Sequence, residues 1–354
     1  MRYSRRQFLI TSAILAAQVA LGLKNRAWAD SGERYRRYSD LSPIERRVLA
    51  AEIAAQPVPP VTPIGTSEDI LWPFDYRRLI SETPITVFDA PGGNPIKTIP
   101  AGFNFVSIVN SQNGWTQINY GEWVPDEVIS PAHISTFTGV TFDQPLTYPL
   151  AWILLDTRPS TRPGAEPPDD APLLTRYTPV SVFARQQIAG WEWYLVGPDQ
   201  WVEQRRLGQA LPIAPPAGVS GRWIGVDLYE QVLIAYEDTR PVFATLVSSG
   251  LPDWPTDEGL FRIEPTLRFE STPMRGALGG PDSYIIEDIP WTMFYNLLSE
   301  EALHGTFWHD GFGYRHSHGC VNLTITDARW LYQWTADGYE DAWVYVYSSG
   351  EYNE

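Results

Sequence analysis

The 354 residues contain a single cysteine, three methionines and five histidines. One cysteine excludes a disulfide within the chain. Positive charge is also scarce: 26 Lys and Arg stand against 42 Asp and Glu, a formal net charge of −16. Five of the basic residues, Arg2, Arg5, Arg6, Lys24 and Arg26, fall in the acid-free stretch 1–29, so the remainder is more acidic still. No later Lys/Arg run offsets this. Such a surface repels nucleic acid and anionic lipid, which excludes a general nucleic-acid binder. Long apolar runs are missing too. After residue 29 no segment approaches the 18 uninterrupted apolar residues of a membrane span, so no stable membrane insertion is expected once a leader is removed. The abundant residues are proline (31), glycine (27) and aromatics (15 Trp, 18 Tyr, 14 Phe), the composition of turn-rich β-structure. With 44% hydrophobic and 19% charged residues the chain is globular, and its length allows two or three domains.

Ser4-Arg5-Arg6-Gln7-Phe8-Leu9-Ile10 precedes an apolar run from Thr11 to Leu23, and Ala27-Trp28-Ala29 precedes Asp30. A basic start, a short apolar stretch and an A-x-A site read as a secretory signal peptide over 1–29. The paired arginines before Phe-Leu resemble a twin-arginine signal, which implies export of the folded protein to a periplasm or cell wall. Outside the cytoplasm thiols oxidise. The lone Cys320 is therefore either a small buried hydrophobe or a reactive thiol.

Residues 30–80 read as an N-terminal arm, a short helix and a linker. Ser42-Pro43-Ile44-Glu45 is a capping box with proline at the first helical position, which predicts a helix over about 43–55, before the Pro-rich stretch from Pro57 to Pro63. Over 81–131 short β-type runs alternate with turns: Ile85 to Phe88, Gly92-Gly93-Asn94, Phe103 to Val109, an Asn113-Gly114 hairpin and a closing Trp123-Val124. This pattern resembles bacterial SH3-like domains, small barrels attached to cell-wall enzymes. Trp193 and Trp201 repeat the spacing of Trp115 and Trp123, so 140–210 reads as a second SH3-like unit with a Pro-rich insertion. The tryptophans are expected to fill barrel cores. Leu211 to Gly221 is a linker.

The chemistry concentrates near the end. Four of the five histidines (His304, His309, His316, His318) and the only cysteine lie between 304 and 320. A thiol attacks only as thiolate and is mostly protonated near pH 7, so it needs a base within hydrogen-bond reach. His304 or His318 could serve. In an extended segment His318 and Cys320 share a face, and Gly319 between them lets a substrate approach the backbone. The 16-residue separation of His304 and Cys320 suits two adjacent strands joined by the glycine-rich Asp310–Gly313 loop. Backbone N–H groups of Gly319 and Cys320 could form an oxyanion hole. His316, His318 and Cys320 also offer zinc ligands, although a structural zinc site wants a fourth ligand and usually a second cysteine. A papain-like peptidase is disfavoured because no histidine follows Cys320.

Ser317-His318-Gly319-Cys320-Val321-Asn322, with His304-Gly305-Thr306, resembles the signature of the L,D-transpeptidase (YkuD-type) catalytic domain. RWIGVDLYEQVLIAYED from Arg222 and TDEGLFRI from Thr256 fit the same family, with a departure at Asp257-Glu258, where the family usually has proline and a small residue. The resemblance covers 222–348 and implies a mainly β chain. A β-sandwich catalytic domain of the L,D-transpeptidase type would follow one or two N-terminal SH3-like small barrels. It implies Cys320 as nucleophile and His304 as proton acceptor and donor, oriented by the backbone carbonyl of Gly305. His318 would line the oxyanion side and hold the loop, and Gly319 would supply an oxyanion-hole N–H. Ser317 and Asn322 would shape the loop and help position substrate, and Trp308 and Tyr314 are candidates for the substrate wall. His309 and His316 are expected to be loop residues. Thr326-Asp327 opens a helix carrying Trp330, Leu331 and Trp334 as core. The implied partners are peptidoglycan peptide stems, with no cofactor and no metal, and a monomer is expected. The competing reading is a wall-binding adaptor with an inert C-terminal domain.

Overall fold

The computed structural model describes residues 35–276, 283–336 and 342–351. The leader expected over 1–29 lies outside the described residues. The architecture is mainly β, and the chain divides into two compact units.

The first unit takes its described residues from 35–61, 142–217 and 239–241. Its helix spans Pro43–Ala55. Ser42 Oγ accepts from the Glu45 N–H (3.3 Å) while the Glu45 carboxylate accepts from the Ser42 N–H (2.8 Å), so two N-terminal donors are satisfied locally. Leu49 and Ile53 are buried against Phe183, Ala184, Leu195 and Trp201. Two three-stranded antiparallel sheets complete the unit. One orders Pro179–Ser181, Leu150–Ile153 and Leu207–Ala210, and the other Ala184–Ile188, Trp191–Gly197 and Gln200–Glu203.

The second unit comprises 62–141, 218–238 and the chain from Val242 onward. Its C-terminal part supplies strands β1 (Arg222–Asp227), β2 (Val232–Glu237), β3 (Arg240–Leu246), β4 (Gly259–Ile263), β5 (Arg268–Gly276), β6 (Tyr284–Asn296), β7 (Glu301–Thr306), β8 (Val321–Thr324) and β9 (Ala342–Tyr347). Helix α1 (Ile325–Ala336) follows β8 directly. One sheet runs Thr62–Pro63, Val140–Thr141, β3, β2, β1, β9, β4. The other runs β8, β7, β6, Phe103–Ser107, Tyr76–Leu79, Ile129–Pro131, with β5 paired to β6. Strand β9 shows why the sheets stack: Ala342, Val344 and Val346 are buried while Trp343, Tyr345 and Tyr347 are half-buried, a period of two that gives one apolar face. Between the sheets, Ile224, Val226, Leu233, Ala235 and Val344 meet Met293, Leu303, Val321 and Leu323. Helix α1 seals this core with Ala328 and Leu331. Trp330 and Trp334, expected as core beside Leu331, are only half-buried; Trp330 stacks on Phe243 with ring centroids 4.2 Å apart.

Two features differ from a beads-on-a-string reading. The stretch expected as arm and linker contributes Thr62–Pro63 and Tyr76–Leu79 as sheet strands. Residues 81–131 hold a five-stranded sheet in the order Pro95–Ile99, Ile85–Phe88, Glu122–Pro125, Trp115–Asn119, Asn110–Gln112, but they are not separate from the strands of the C-terminal part. Phe103, Asn104 and Phe105 pair in parallel with Tyr284, Ile285 and Ile286 of β6, and Tyr76 stacks on Phe307 at 3.7 Å. An upstream strand thereby covers an edge of β6 that would otherwise expose unpaired backbone groups. In both hairpins carrying the repeated tryptophan spacing, the second tryptophan (Trp123, Trp201) is buried and the first (Trp115, Trp193) is half-buried.

Candidate active site

The site is assembled by the parallel pair β7 and β8. Their register sets His304 opposite Asn322, which places Cys320 two residues earlier, at the head of β8. His304 is buried, and its Nδ1 lies 3.1 Å from the Gly305 carbonyl oxygen. A carbonyl only accepts, so Nδ1 carries the proton and Nε2 keeps its lone pair. Burial pushes the His304 pKa down to about 4, outweighing the Gly305 hydrogen bond, so the ring is neutral at neutral pH. Cys320 is half-buried, with Sγ 3.8 Å from the Glu300 carbonyl oxygen. Burial pushes its thiol up to about 11; the Ala302 N–H opposes this, and the Glu301 and Glu300 carboxylates add to it. The resting groups are thus a thiol and a neutral imidazole.

This depressed histidine makes a stability prediction. A neutral buried imidazole stabilises the fold above the ordinary pKa of about 6.5, and that contribution is lost as pH falls through about 4. The difference corresponds to about 3 kcal/mol. Denaturant midpoints at pH 7 and pH 4 are expected to show a smaller acid loss for His304→Gln than for the wild type. Equal acid losses would refute it.

The 317–322 loop that carries Cys320 is held by a segment the sequence reading did not single out. Ser248 and Asn322 exchange backbone hydrogen bonds (3.0 and 2.9 Å), Ser317 N–H donates to the Ser249 carbonyl (3.0 Å), and Leu251 N–H donates to the Ser317 carbonyl (2.9 Å). Gln231 fixes this segment, donating to Ser249 Oγ (2.6 Å) and accepting from the Ser249 N–H (2.8 Å). Thr256 Oγ1 donates to the Gly319 carbonyl (2.6 Å) and accepts from the Gly250 N–H (2.9 Å). Thr256 opens the TDEGLFRI motif; its neighbours Ser248 to Gly250 gave no such signal.

Ser317 accepts the Gly319 N–H on its Oγ (3.2 Å) and donates to the Cys320 carbonyl. Its hydroxyl therefore shapes the loop, as an ST-turn. The same turn corrects one expectation: the Gly319 N–H, anticipated as an oxyanion-hole donor, is directed to Ser317 Oγ. Gly319 itself has φ +121°, a conformation side-chain-bearing residues avoid. Asn322 is buried, and its amide faces His309 Nε2 at 3.0 Å. Because His309 Nδ1 accepts from the Gly311 N–H (3.0 Å), the ring proton sits on Nε2 and the amide oxygen is the group able to receive it. Asn322 thus braces the loop from within. His309 and His316 stack at 4.8 Å, and no group of three or more His, Cys, Asp or Glu side chains among the described residues converges to hold a metal.

His318 is exposed and lies between Trp254 (4.3 Å) and Tyr284 (5.4 Å), two aromatics the sequence gave no reason to select. Trp308 is half-buried, 5.7 Å from the His304 ring and 5.1 Å from Phe307, so it backs the histidine and joins the core at once. Tyr314 is half-buried on the loop, its N–H bonded to the Gly311 carbonyl (3.2 Å).

Comparison with known proteins places the match on this part of the chain. Residues 221–346 match the YkuD model, the L,D-transpeptidase catalytic domain. The Bacillus subtilis (strain 168) protein "Putative L,D-transpeptidase YciB" is 29% identical over 123 residues, spanning 31% of this chain and 59% of its own length. Among solved structures, a mutant Enterococcus faecium L,D-transpeptidase is 23% identical with a TM-score of 0.32, covering 36% of this chain and 50% of that one. An L,D-transpeptidase from Mycobacterium smegmatis is 18% identical with a TM-score of 0.33, covering 61% and 93%. Cys320, His304 and every loop contact described above fall inside residues 221–346, the segment that matches the L,D-transpeptidase catalytic domain.

Proposed function

We propose that this chain is an exported peptidoglycan L,D-transpeptidase that forms 3–3 cross-links through a thioester on Cys320. The observation that carries the reading is the His304 Nδ1 to Gly305 carbonyl contact of 3.1 Å. It fixes the tautomer that leaves Nε2 as a base on the strand beside the nucleophile. In the forward step the Cys320 proton passes to His304 Nε2 as sulfur bonds the carbonyl carbon of the third stem residue. Collapse of the tetrahedral intermediate breaks the amide C–N bond, and His304 returns the proton to the departing D-alanine amine. The amine of a second stem then attacks the thioester, losing a proton to His304 and releasing the thiol. Water in place of that amine would make the product that of an L,D-carboxypeptidase. The small sheets within 81–131 and 140–210 are read as SH3-like units, and the acidic composition and the leader over 1–29 support an extracytoplasmic, monomeric enzyme delivered by the twin-arginine route.

Intact-mass spectrometry of the reduced mature protein with a tetrapeptide muropeptide, and separately with a carbapenem, tests this. The wild type is expected to gain one drug adduct, release D-alanine and produce a dimeric muropeptide, and Cys320→Ala to do none of these. D-alanine release without dimer would assign the carboxypeptidase. No adduct and no turnover from folded wild type would overturn the enzyme reading.

A further inference from the structure

Helix α1 carries Thr326, Arg329, Trp330 and Gln333 at i, i+3, i+4 and i+7, one face that the mechanism above does not use. That face and the stretch 62–70 enclose a cleft of about 380 Å³, bordered also by Thr62 and Ile64. Both walls are tied down. Thr66 Oγ1 and Thr326 Oγ1 are hydrogen-bonded at 2.8 Å, and the Ile64 N–H donates to the Gly139 carbonyl (3.0 Å). The cleft is therefore formed in advance of any ligand, and its volume lies in the range of small-molecule sites. Its donors are unused. The Arg329 guanidinium, the Trp330 indole N–H and the Gln333 amide have no hydrogen-bond partner among the described residues. Trp330, expected as core, stacks on Phe243 at 4.2 Å but is only half-buried because it also borders this cleft.

We propose that this cleft binds a neutral saccharide unit, seated against Trp330 and hydrogen-bonded by Arg329 and Gln333. Size, charge and donor chemistry select that ligand. The volume admits a sugar ring but not a helix of a partner protein, whose diameter alone is about 10 Å. Arg329 is the only charged side chain bordering the cleft. Glu68 and Asp69 offset it from the short helix Glu68–Leu71, whose Ile70 forms part of the wall, so no net positive field selects an anion. A sugar also matches the unused groups: its hydroxyl oxygens accept from guanidinium, indole and amide, and its C–H face packs on an aromatic ring. Strand β8 separates the cleft from Cys320. At about 3.3 Å per residue, its four residues put Thr326 on the order of 15 Å from the thiol-bearing residue. The sugar is thus held apart from the reacting bond, as the glycan strand carrying a stem would be. Naming the glycan strand as its source rests on the transpeptidase reading; the preference for a neutral sugar does not.

Saturation-transfer NMR on the reduced mature protein tests this with chitotetraose, a neutral sugar chain that has no peptide for Cys320 to attack. The wild type is expected to bind it with a Kd in the millimolar range or below. Arg329→Met keeps the aliphatic stem that lies by the Trp291 ring and removes the donors; it is expected to raise the Kd about tenfold. Gln333→Ala, at an exposed position of the helix, is expected to raise it about threefold without unfolding the protein. No binding by folded wild type overturns the proposal. Binding that both variants leave unchanged overturns it as well, because the sugar then sits elsewhere. Should Arg329→Met not fold, the Gln333→Ala result decides. Displacement of the sugar by equimolar acetate would overturn the neutral-sugar assignment in favour of an anion site. Sugar binding by protein that turns over no muropeptide would refute the transpeptidase and leave this site; turnover without sugar binding would do the reverse.

Discussion

Glutamine in place of His304 is expected to slow acylation of Cys320 by about 10³-fold, within the range of a lost general base. The magnitude follows from the starting state. With the thiol raised to about 11, little thiolate exists at neutral pH, so attack depends on a partner that takes the proton as the bond forms. A neutral imidazole can do so and glutamine cannot. The ring is held by Gly305 and buried beside Trp308, so glutamine fills a similar space without exposing the core. Carbapenem adduct formation by intact mass and D-alanine release are the readouts, with far-ultraviolet circular dichroism to confirm the fold. His318→Gln is the control. His318 is exposed between two aromatics, and its loss is expected to cost less than tenfold. A His304 variant within tenfold of wild type would sink the assignment of the base.

The second large effect is expected far from any reacting atom. A Cβ at Gly250 would overlap the Trp254 carbonyl oxygen and lie 2.7 Å from Thr256 N and 2.9 Å from Pro255 C. All three are backbone atoms, so no rotamer change relieves the clash; residues 254–256 must move. That motion withdraws the Thr256 hydroxyl from the Gly319 carbonyl and Trp254 from the His318 ring. Gly250→Ala is expected to destabilise the protein by about 3 kcal/mol, the upper part of the overpacking range. Adduct formation on Cys320 should be largely lost even where the protein remains folded. Thermal unfolding and intact mass measured together check this. Gly65→Ala, where nothing lies within 4 Å of the added carbon, should change neither. An active, stable Gly250→Ala would mean that the 248–256 segment does not hold the nucleophile loop.

Sequence alone determined the local and chemical parts of this protein. The helix at Pro43–Ala55 follows from a capping box contained in four consecutive residues. Cys320 and its candidate partners His304 and His318 stood out because residue types with the required reactivity cluster between 304 and 320, whereas the orienting role of the Gly305 carbonyl came from the resemblance to the L,D-transpeptidase signature. Only the tertiary structure decided the rest, because it depends on contacts between residues far apart in the chain. Sequence periodicity does not say that Phe103–Ser107 completes the sheet beside β6, or that Tyr76–Leu79 is a strand rather than linker. Nor does it reveal that Ser317 captures the Gly319 N–H, that Trp254 and Tyr284 flank His318, or that a glutamate at the start of β7 packs against Gly319. Local propensity is written residue by residue, whereas the field and shape around Cys320 are set by which distant backbones pair, and pairing is fixed only when the whole core is buried.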